Sequence, residues 1–485
     1  MTDMKALIEQ QFESAAGLNK RYVHPKLAKM FALAGMKALF DRGEGQYLWS
    51  GDRRFLDFLS GGGIHYIGRN HPAVRQAITD VAAMDLPNIT IVNPSLLGGL
   101  LAQRLIALAG DHYAKCFFGN SGTEAADLAM RFARYATRRR RFLYLEGSFH
   151  GRTFAAISAC GFPELREGQE PMMPTCTAVR RNDIAQLRRE LSYGDVAGFI
   201  FEPVQGMTCE VLDSAYLREA EALCQQSGTL LIADEVQTGL GRCGSWFATS
   251  GLGMRPSLLM VSKTLSGGMM PVSAVLISDD VYERVFDKFK AGPFYWSTFA
   301  ENNLAMAAGI ATLDVLEQMN APERSIELSN LIEEGVRGLA DKYDCIERLA
   351  GQGLMRAIYF KTTSNPKLRA EQAVLDSTDK SAFAAALHVD MYREFGIMLQ
   401  IPGPGLNAVK FLPPICTTEE DIRFFLDALD QTLARYYSGV GPVIGIGQTA
   451  LKATIESGME SASARASAVL GLFGFGAAAA EHNKE

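Results

Sequence analysis

No uncharged apolar run in this 485-residue chain is long enough to cross a bilayer. The longest, Ala466 to Ala480, falls short of the ~20 residues that a membrane helix needs. The first twenty residues mix charges throughout and hold no apolar stretch ahead of a cleavage site, so no secretory signal is expected. Eight cysteines stand at 116, 160, 176, 209, 224, 243, 345 and 416, and no two form a C-x-x-C pair. That spacing gives neither a zinc pattern nor a disulfide framework, and reduced thiols in a cytoplasmic protein are expected. Positive charge is not in excess, with 48 Lys and Arg against 54 Asp and Glu and a net charge of −6, so nucleic acid is not the expected partner. At 48% hydrophobic and 21% charged, the chain also lacks the composition of a disordered protein. No internal repeat is present.

What is there is alternation. Short apolar runs at Phe142–Leu145, Gly198–Phe201, Leu230–Ala233, Leu258–Val261 and Val272–Ile277 are each bounded by Gly, Pro or charge, and predict buried strands. Between the second and third, Ala215 to Ser227 carries Leu217, Ala220 and Cys224 at helical spacing and stops at Gly228. Such repetition predicts an α/β fold with a mostly parallel sheet covered on both faces, whose ligands gather at the carboxyl ends of the strands. Beyond Leu316 the pattern becomes α+β, with a helix over Glu323–Tyr343, strands at Met355–Tyr359 and Ala408–Leu412, and a helix over Thr418–Tyr436. The expected divisions are an N-terminal segment 1–60 joined to the smaller domain, a large domain 61–315, the rest of the small domain 316–436, and a Gly/Ala/Ser-rich accessory tail 437–485.

Four segments carry chemistry. The run Leu230–Gly239 delivers Asp234 and Glu235 at a strand end. Successive strand residues point to opposite faces, so the two acids do not flank one bond, as a paired-carboxylate hydrolase would require. One buried acid there suits a cation such as a protonated ring nitrogen; a surface turn with two solvated acids is the plainer alternative. In Leu258–Gly268 a lysine, Lys263, closes an apolar strand. Desolvation would free its amine for Schiff-base chemistry, although a lone strand-end lysine can simply snorkel to solvent. Ser121-Gly122-Thr123 precedes an apolar helix face at Leu128, Ala129, Phe132 and Tyr135, which places free N–H groups at a helix N-terminus suited to phosphate, or else an ordinary cap. Glu146–Thr153 adds an aromatic ring, an imidazole and a guanidinium in a Gly-flanked loop. Together an anion cradle, a stacking ring, a strand-end acid and a strand-end lysine match one cofactor, pyridoxal 5′-phosphate.

Two further patterns have structural readings. Gly239-Leu-Gly-Arg-Cys-Gly244 fits G-x-G-x-x-G but opens no amphipathic helix, so a dinucleotide site is not expected. The run Arg138–Arg141 suits a solvated helix end.

In their order, Gly43–Trp49, Ser121–Ala125, Phe149–Thr153, Glu202–Gly206, Asp234–Gly239 and Ser262-Lys263 resemble the class III (ω-type) aminotransferases of the fold-type I pyridoxal-phosphate enzymes, over about Phe40 to Tyr436. The resemblance implies that Lys263 bonds the cofactor and shuttles a proton, and that Asp234 pairs with the ring nitrogen. It also implies that Val236 and Phe149 pack on the two ring faces, that Gln237 reaches the ring hydroxyl, and that Ser121, Gly122 and Thr123 hold the phosphate. Thr298 would complete the phosphate site across the interface of a homodimer, and Glu202 would support. The implied activity is a ping-pong transfer of an amino group between an amine or amino-acid donor and an aldehyde or keto-acid acceptor. A mutase, decarboxylase or racemase on the same fold, or a non-catalytic binding protein, is the alternative.

The chain departs from the family where ornithine-type members place an arginine and a gating glutamate. Those positions are Lys410 and Met207 here. Lysine lacks the bidentate fork that suits carboxylates, so either Lys410 is a weaker carboxylate ligand or one substrate has no α-carboxylate. Arg152 remains to anchor a dicarboxylate. The Lys-x-x-Pro-Pro variant and Arg21–Pro25 resemble a subgroup acting on lipid-linked or natural-product aldehydes, as in the hopanoid pathway.

Overall fold

The computed structural model describes residues 2–89, 93–287, 295, 297–377 and 379–442. Three helices, Met4–Gln11, Ala15–Tyr22 and Pro25–Leu33, precede the first strands, β1 (Arg42–Glu44), β2 (Tyr47–Ser50) and β3 (Arg53–Asp57). Seven follow: β4 (Tyr113–Gly119), β5 (Arg141–Leu145), β6 (Cys176–Val179), β7 (Val196–Phe201), β8 (Leu230–Asp234), β9 (Leu258–Val261) and β10 (Ser273–Ser278). The last four are β11 (Ile346–Gln352), β12 (Met355–Phe360), β13 (Ile397–Met398) and β14 (Ala408–Phe411).

Strands β4 to β10 form one sheet in the order β4-β10-β9-β8-β7-β5-β6. The β6-β5-β7-β8-β9 stretch is parallel, and β10 runs antiparallel to both of its neighbours. Alternation along the strands explains why both faces are covered. Phe142, Tyr144, Ile200 and Ile232 pack against Leu128, Ala129 and Phe132 of the helix Gly122–Thr137. Leu143, Phe199, Phe201 and Leu231 turn to the other side and meet Leu217, Ala220 and Cys224 of the helix Ser214–Ser227. Each fully buried side chain of this size contributes roughly 1.5–3 kcal/mol. That second helix begins at Asp213, whose carboxylate caps it, and ends at Gly228 with φ +65°.

The N-terminal strands share a four-stranded sheet, β1-β2-β3-β13, with a strand from far along the chain, Ile397 pairing with Leu56. Strands β11, β12 and β14 form a third, antiparallel sheet against the helices Ala321–Lys342 and Glu419–Ser438. The last helix carries a Thr418–Asp421 capping box and stops at Gly439, φ +97°, two residues later than expected. From residue 443 onward the accessory tail lies outside the described residues. Among the described residues, no helix is long and apolar enough to cross a membrane.

Two of the four arginines from 138 to 141 depart from the expectation of a solvated helix end. Arg139 donates to the carbonyls of Val196 and Ser227, and Arg141 pairs with Glu190 at 2.7 Å and Asp195 at 2.8 Å. They tie strand ends together because β5 begins immediately after the helix.

Candidate active site

The carboxyl ends of β8 and β9 lie side by side, with Asp234 in register with Met260. Asp234 is the last residue of β8 and is buried. Its Oδ2 faces the Nδ1 of His150 at 2.7 Å, and its Oδ1 accepts the Val236 N–H at 3.1 Å. Glu235 turns the other way and accepts from Ala248, Thr249 and Thr238, so the two neighbouring acids do face different surroundings. Burial opposes charge on His150, but the hydrogen bond to Asp234 and the charges of Asp234 and Glu202 outweigh it and raise its pKa.

One strand over, the chain leaves β9 through Ser262 and places Lys263 at φ +42°, a left-handed conformation that a lysine adopts only under constraint from its surroundings. Desolvation is the larger cause and the nearby Lys410 cation the next; together they lower the Lys263 pKa from 10.5 to about 8, against the pull of Asp234 and Glu202. Glu202, buried, is pushed up to about 7 by desolvation; it accepts the N–H groups of Phe149 at 2.9 Å and Gly206 at 2.7 Å.

The helix Gly122–Thr137 begins two residues beyond Asn120, which follows β4. Ser121 is its N-cap, accepting from the Glu124 N–H at 3.3 Å. Gly122 has no space for a side chain, since a Cβ there would come within 2.9 Å of Val236 Cγ1. Thr123 is engaged inside the chain: its Oγ1 accepts the N–H groups of Arg152 at 3.0 Å and Thr153 at 2.9 Å, and meets Thr153 Oγ1 at 2.8 Å. It clamps the 149–153 loop to the helix start. Gly151 permits that approach, because a Cβ would fall 2.2 Å from Thr123 Oγ1 at a φ of +132°. Arg152 is exposed, with its guanidinium 5.7 Å from the centre of the half-buried Phe149 ring.

Gln237 is held at both ends. Its Nε2 donates to the Gly62 carbonyl at 3.0 Å and its Oε1 accepts from Lys410 Nζ at 2.6 Å. Lys410 lies on β14, is 1% exposed, and also donates to the Gly206 carbonyl. Met207 packs with Phe149, Phe162, Met172 and Leu406 in an apolar cluster. Thr298 is exposed, on the wall of a cavity of about 660 Å³ lined also by Leu86, Leu97 and Phe118, and the adjacent Ser297 accepts from the side chain of Asn120, one residue before Ser121, at 2.9 Å.

These placements fit pyridoxal phosphate. Ser121 caps a helix whose first-turn N–H groups are available to a phosphate, the Gly122–Val236 contact leaves a cradle that a Cβ would fill, and His150 keeps an unpartnered, buried Nε2 behind Asp234. Sequence reasoning did not pair His150 with Asp234, which are 84 residues apart. It also dismissed Arg242 with the G-x-G-x-x-G pattern. That motif proves to be a turn that buries Arg242 over the Tyr66 ring, donating to the Gly63 carbonyl at 2.6 Å under the Gln237 layer.

A mixed seven-stranded sheet with an acid and a lysine at adjacent strand ends defines an enzyme of the fold-type I, pyridoxal-phosphate-dependent class. The family model for Aminotransferase class-III matches residues 32–433, and the chain belongs to that family. It is 30% identical over 420 residues to the aminotransferase PigE of a Serratia species, a match that covers 86% of this chain and 46% of that protein, so the chain spans about half the length of this relative. It is 35% identical over 319 residues to a putrescine aminotransferase of Pectobacterium atrosepticum, covering 63% of this chain and 67% of that protein. The ornithine aminotransferase of Toxoplasma gondii shares the fold with a TM-score of 0.76 at 24% identity, covering 91% of this chain and 99% of that one.

Proposed function

We propose that this protein transfers an amino group from an amine or amino-acid donor to an aldehyde or keto-acid acceptor in two half-reactions, and that one substrate lacks an α-carboxylate. The carrying observation is the wall beside Phe149: Met207 stands among Phe162, Met172 and Leu406, and the neighbouring Lys410 amine is consumed by Gly206 and Gln237. Such a wall suits an apolar amine or aldehyde, including the lipid-linked or natural-product aldehydes of hopanoid-type pathways. The putrescine aminotransferase relative acts on an amine with no carboxylate, which supports the same reading.

Bound pyridoxal phosphate supplies an aldehyde that takes up the amine and a protonated ring that draws electrons from the adjoining carbon. Lys263, whose pKa burial and the nearby Lys410 bring down to about 8, would anchor the cofactor and then carry a proton at its Nζ. Asp234 would pair with the ring nitrogen and keep it protonated, and His150 holds that carboxylate in place. Val236 and Phe149 would pack on the two ring faces, Gln237 would reach the ring hydroxyl, and Ser121, Gly122 and Thr123 would hold the phosphate, Thr123 chiefly by clamping the loop. Arg152, exposed over Phe149, anchors the carboxylate of a glutamate-type donor or its keto acid.

We infer a homodimer in which Thr298 completes the partner's phosphate site. The exposed apolar side chains of Met84, Leu86 and Leu96 around the Thr298 cavity, with the exposed Phe299 next to Thr298 in the chain, support it. Eight free thiols support a cytoplasmic location. The test is spectroscopic: holoenzyme given one amine at a time, without acceptor, should lose its visible absorbance and regain it on addition of a keto acid. Turnover of donor alone, with no stoichiometric bleaching, would instead show a mutase, decarboxylase or racemase.

A further inference from the structure

Lys410 is buried, yet no ion pair joins it to a carboxylate among the described residues. An uncompensated buried cation is costly and persists only where its hydrogen bonds are satisfied and useful. Its backbone cannot swing the amine outward. Lys410 pairs with Ala357 in β12 on one side and on the other exchanges both main-chain hydrogen bonds with Gln400, at 2.7 and 2.8 Å. Its Nζ reaches two acceptors on two other segments, the Gly206 carbonyl beyond β7 and the Gln237 amide beyond β8. Gln237 passes the tie on to the Gly62 carbonyl, and the Gly206 N–H returns to Glu202. The amine is the node at which the β14 sheet, the 206–207 turn and the cofactor-facing end of β8 meet.

We propose that Lys410 is a positioning residue. Its amine locks the Gln237 side chain and the backbone leading to Met207, and it does not grip a substrate carboxylate. This rests on the aminotransferase reading and deepens it, because a fixed, neutral-lined turn replaces a charged gate that would open and close. Glu202, Arg242, Cys209, Cys243 and Lys263 are the other ionisable groups that face Lys410. Desolvation pushes the Cys209 thiol up to about 11, so it stays neutral and offers no counter-charge. Burial lowers the proton affinity of Lys410 itself, and the charge it carries when protonated lowers that of Lys263.

Charge and hydrogen bonding separate in two variants. Lys410→Met removes both; Lys410→Gln keeps donors for Gly206 and Gln237 but no charge. In the holoenzyme, the pH midpoint of the cofactor's visible absorbance should move upward in both variants, because removing a cation raises the proton affinity of its neighbours. The rate of bleaching by an amine without a carboxylate should fall about ten- to a hundredfold in Lys410→Met and recover most of the loss in Lys410→Gln. Gln237→Ala should lower the same rate, and adding it to Lys410→Met should cost little more, since the two act as one unit. The KM for 2-oxoglutarate should stay within about twofold of wild type. A KM for 2-oxoglutarate raised tenfold or more, with an unchanged absorbance titration and amine rate, would overturn the proposal and make Lys410 a carboxylate ligand. Fully additive Gln237 and Lys410 effects would overturn it too. If Lys410→Met does not fold, Lys410→Gln with Gln237→Ala carries the test. Should no amine or amino-acid donor bleach the wild-type holoenzyme, the aminotransferase reading fails, while the absorbance titration still decides whether Lys410 acts on the site.

Discussion

Lys263 should make the cofactor-free protein less stable than it would otherwise be, and replacing it should show by how much. Its pKa falls from 10.5 to about 8, desolvation contributing most and Lys410 next. Each tenfold in proton affinity is worth about 1.4 kcal/mol, so the gap corresponds to about 3 kcal/mol before screening, and about 2–3 kcal/mol for a group only partly buried. The sign follows from proton counts. Between the folded value of about 8 and the unfolded 10.5, the unfolded chain binds more protons, so stability rises with pH across that interval. The penalty is full below pH 8 and gone above 10.5. At about 2.1 cal/mol/K per residue, a folded body of roughly 440 residues has an unfolding entropy near 0.9 kcal/mol/K. Lys263→Met should therefore raise the Tm of the cofactor-free protein by about 2–3 °C at pH 7, shrinking to under about 1 °C at pH 10.5. Scanning calorimetry at several pH values, with both proteins stripped of cofactor, reads this directly. A variant that melts below wild type at pH 7, or a gap that is the same at every pH, would refute the burial argument.

Three other outcomes follow from contacts in the site. Gly151→Ala forces a methyl group to within 2.2 Å of Thr123 Oγ1 at a φ of +132°, and should cost about 2–4 kcal/mol in stability and loosen the cofactor, read as a lower Tm and a raised dissociation constant; wild-type values for both would contradict the clamp. His150, whose pKa is raised on balance, contributes stability that is fully present below pH 6.5 and lost as pH rises through its folded pKa. The Tm gap between wild type and His150→Phe should accordingly be wider at pH 6 than at pH 9, and a gap that widened with pH would reverse the assignment. Arg152→Ala should raise the KM for 2-oxoglutarate about tenfold and leave an amine without a carboxylate unaffected, as steady-state kinetics with both substrates will show.

The sheet was legible because its strands are short apolar runs with hard stops. Leu230–Asp234, Leu258–Val261 and Ser273–Ser278 lie within a residue or two of the expected bounds. Cys176–Val179 escaped notice because it is an edge strand with three half-buried residues, so no apolar run announces it. The β1-β2-β3 meander was missed for a related reason. Arg42, Glu44, Arg53 and Arg54 are all exposed, so no apolar run marks these strands, and the sheet closes only when Ile397 and Met398 arrive from more than 300 residues away. Local pattern cannot report a partner at that distance.

The same limit separates the parts of the site. Strand ends are local facts, so Asp234 and Lys263 could be singled out from the runs that precede them. Hydrogen-bond partners are not local. Lys410 meets Gln237 across 173 residues and Gly206 across 204, and His150 meets Asp234 across 84. A lysine in place of an arginine reads, in sequence, as a weakened ligand for the same carboxylate. In the fold, its shorter, single-headed amine directs two of its donors to two neutral acceptors, the Gly206 carbonyl and the Gln237 amide oxygen. Arginine presents five donors in a rigid fork and would leave some of them facing the substrate space. With Lys410 a positioning residue, as proposed, the position would support the site and not bind substrate, and substrate selection would fall to the apolar wall around Met207 and to the exposed Arg152.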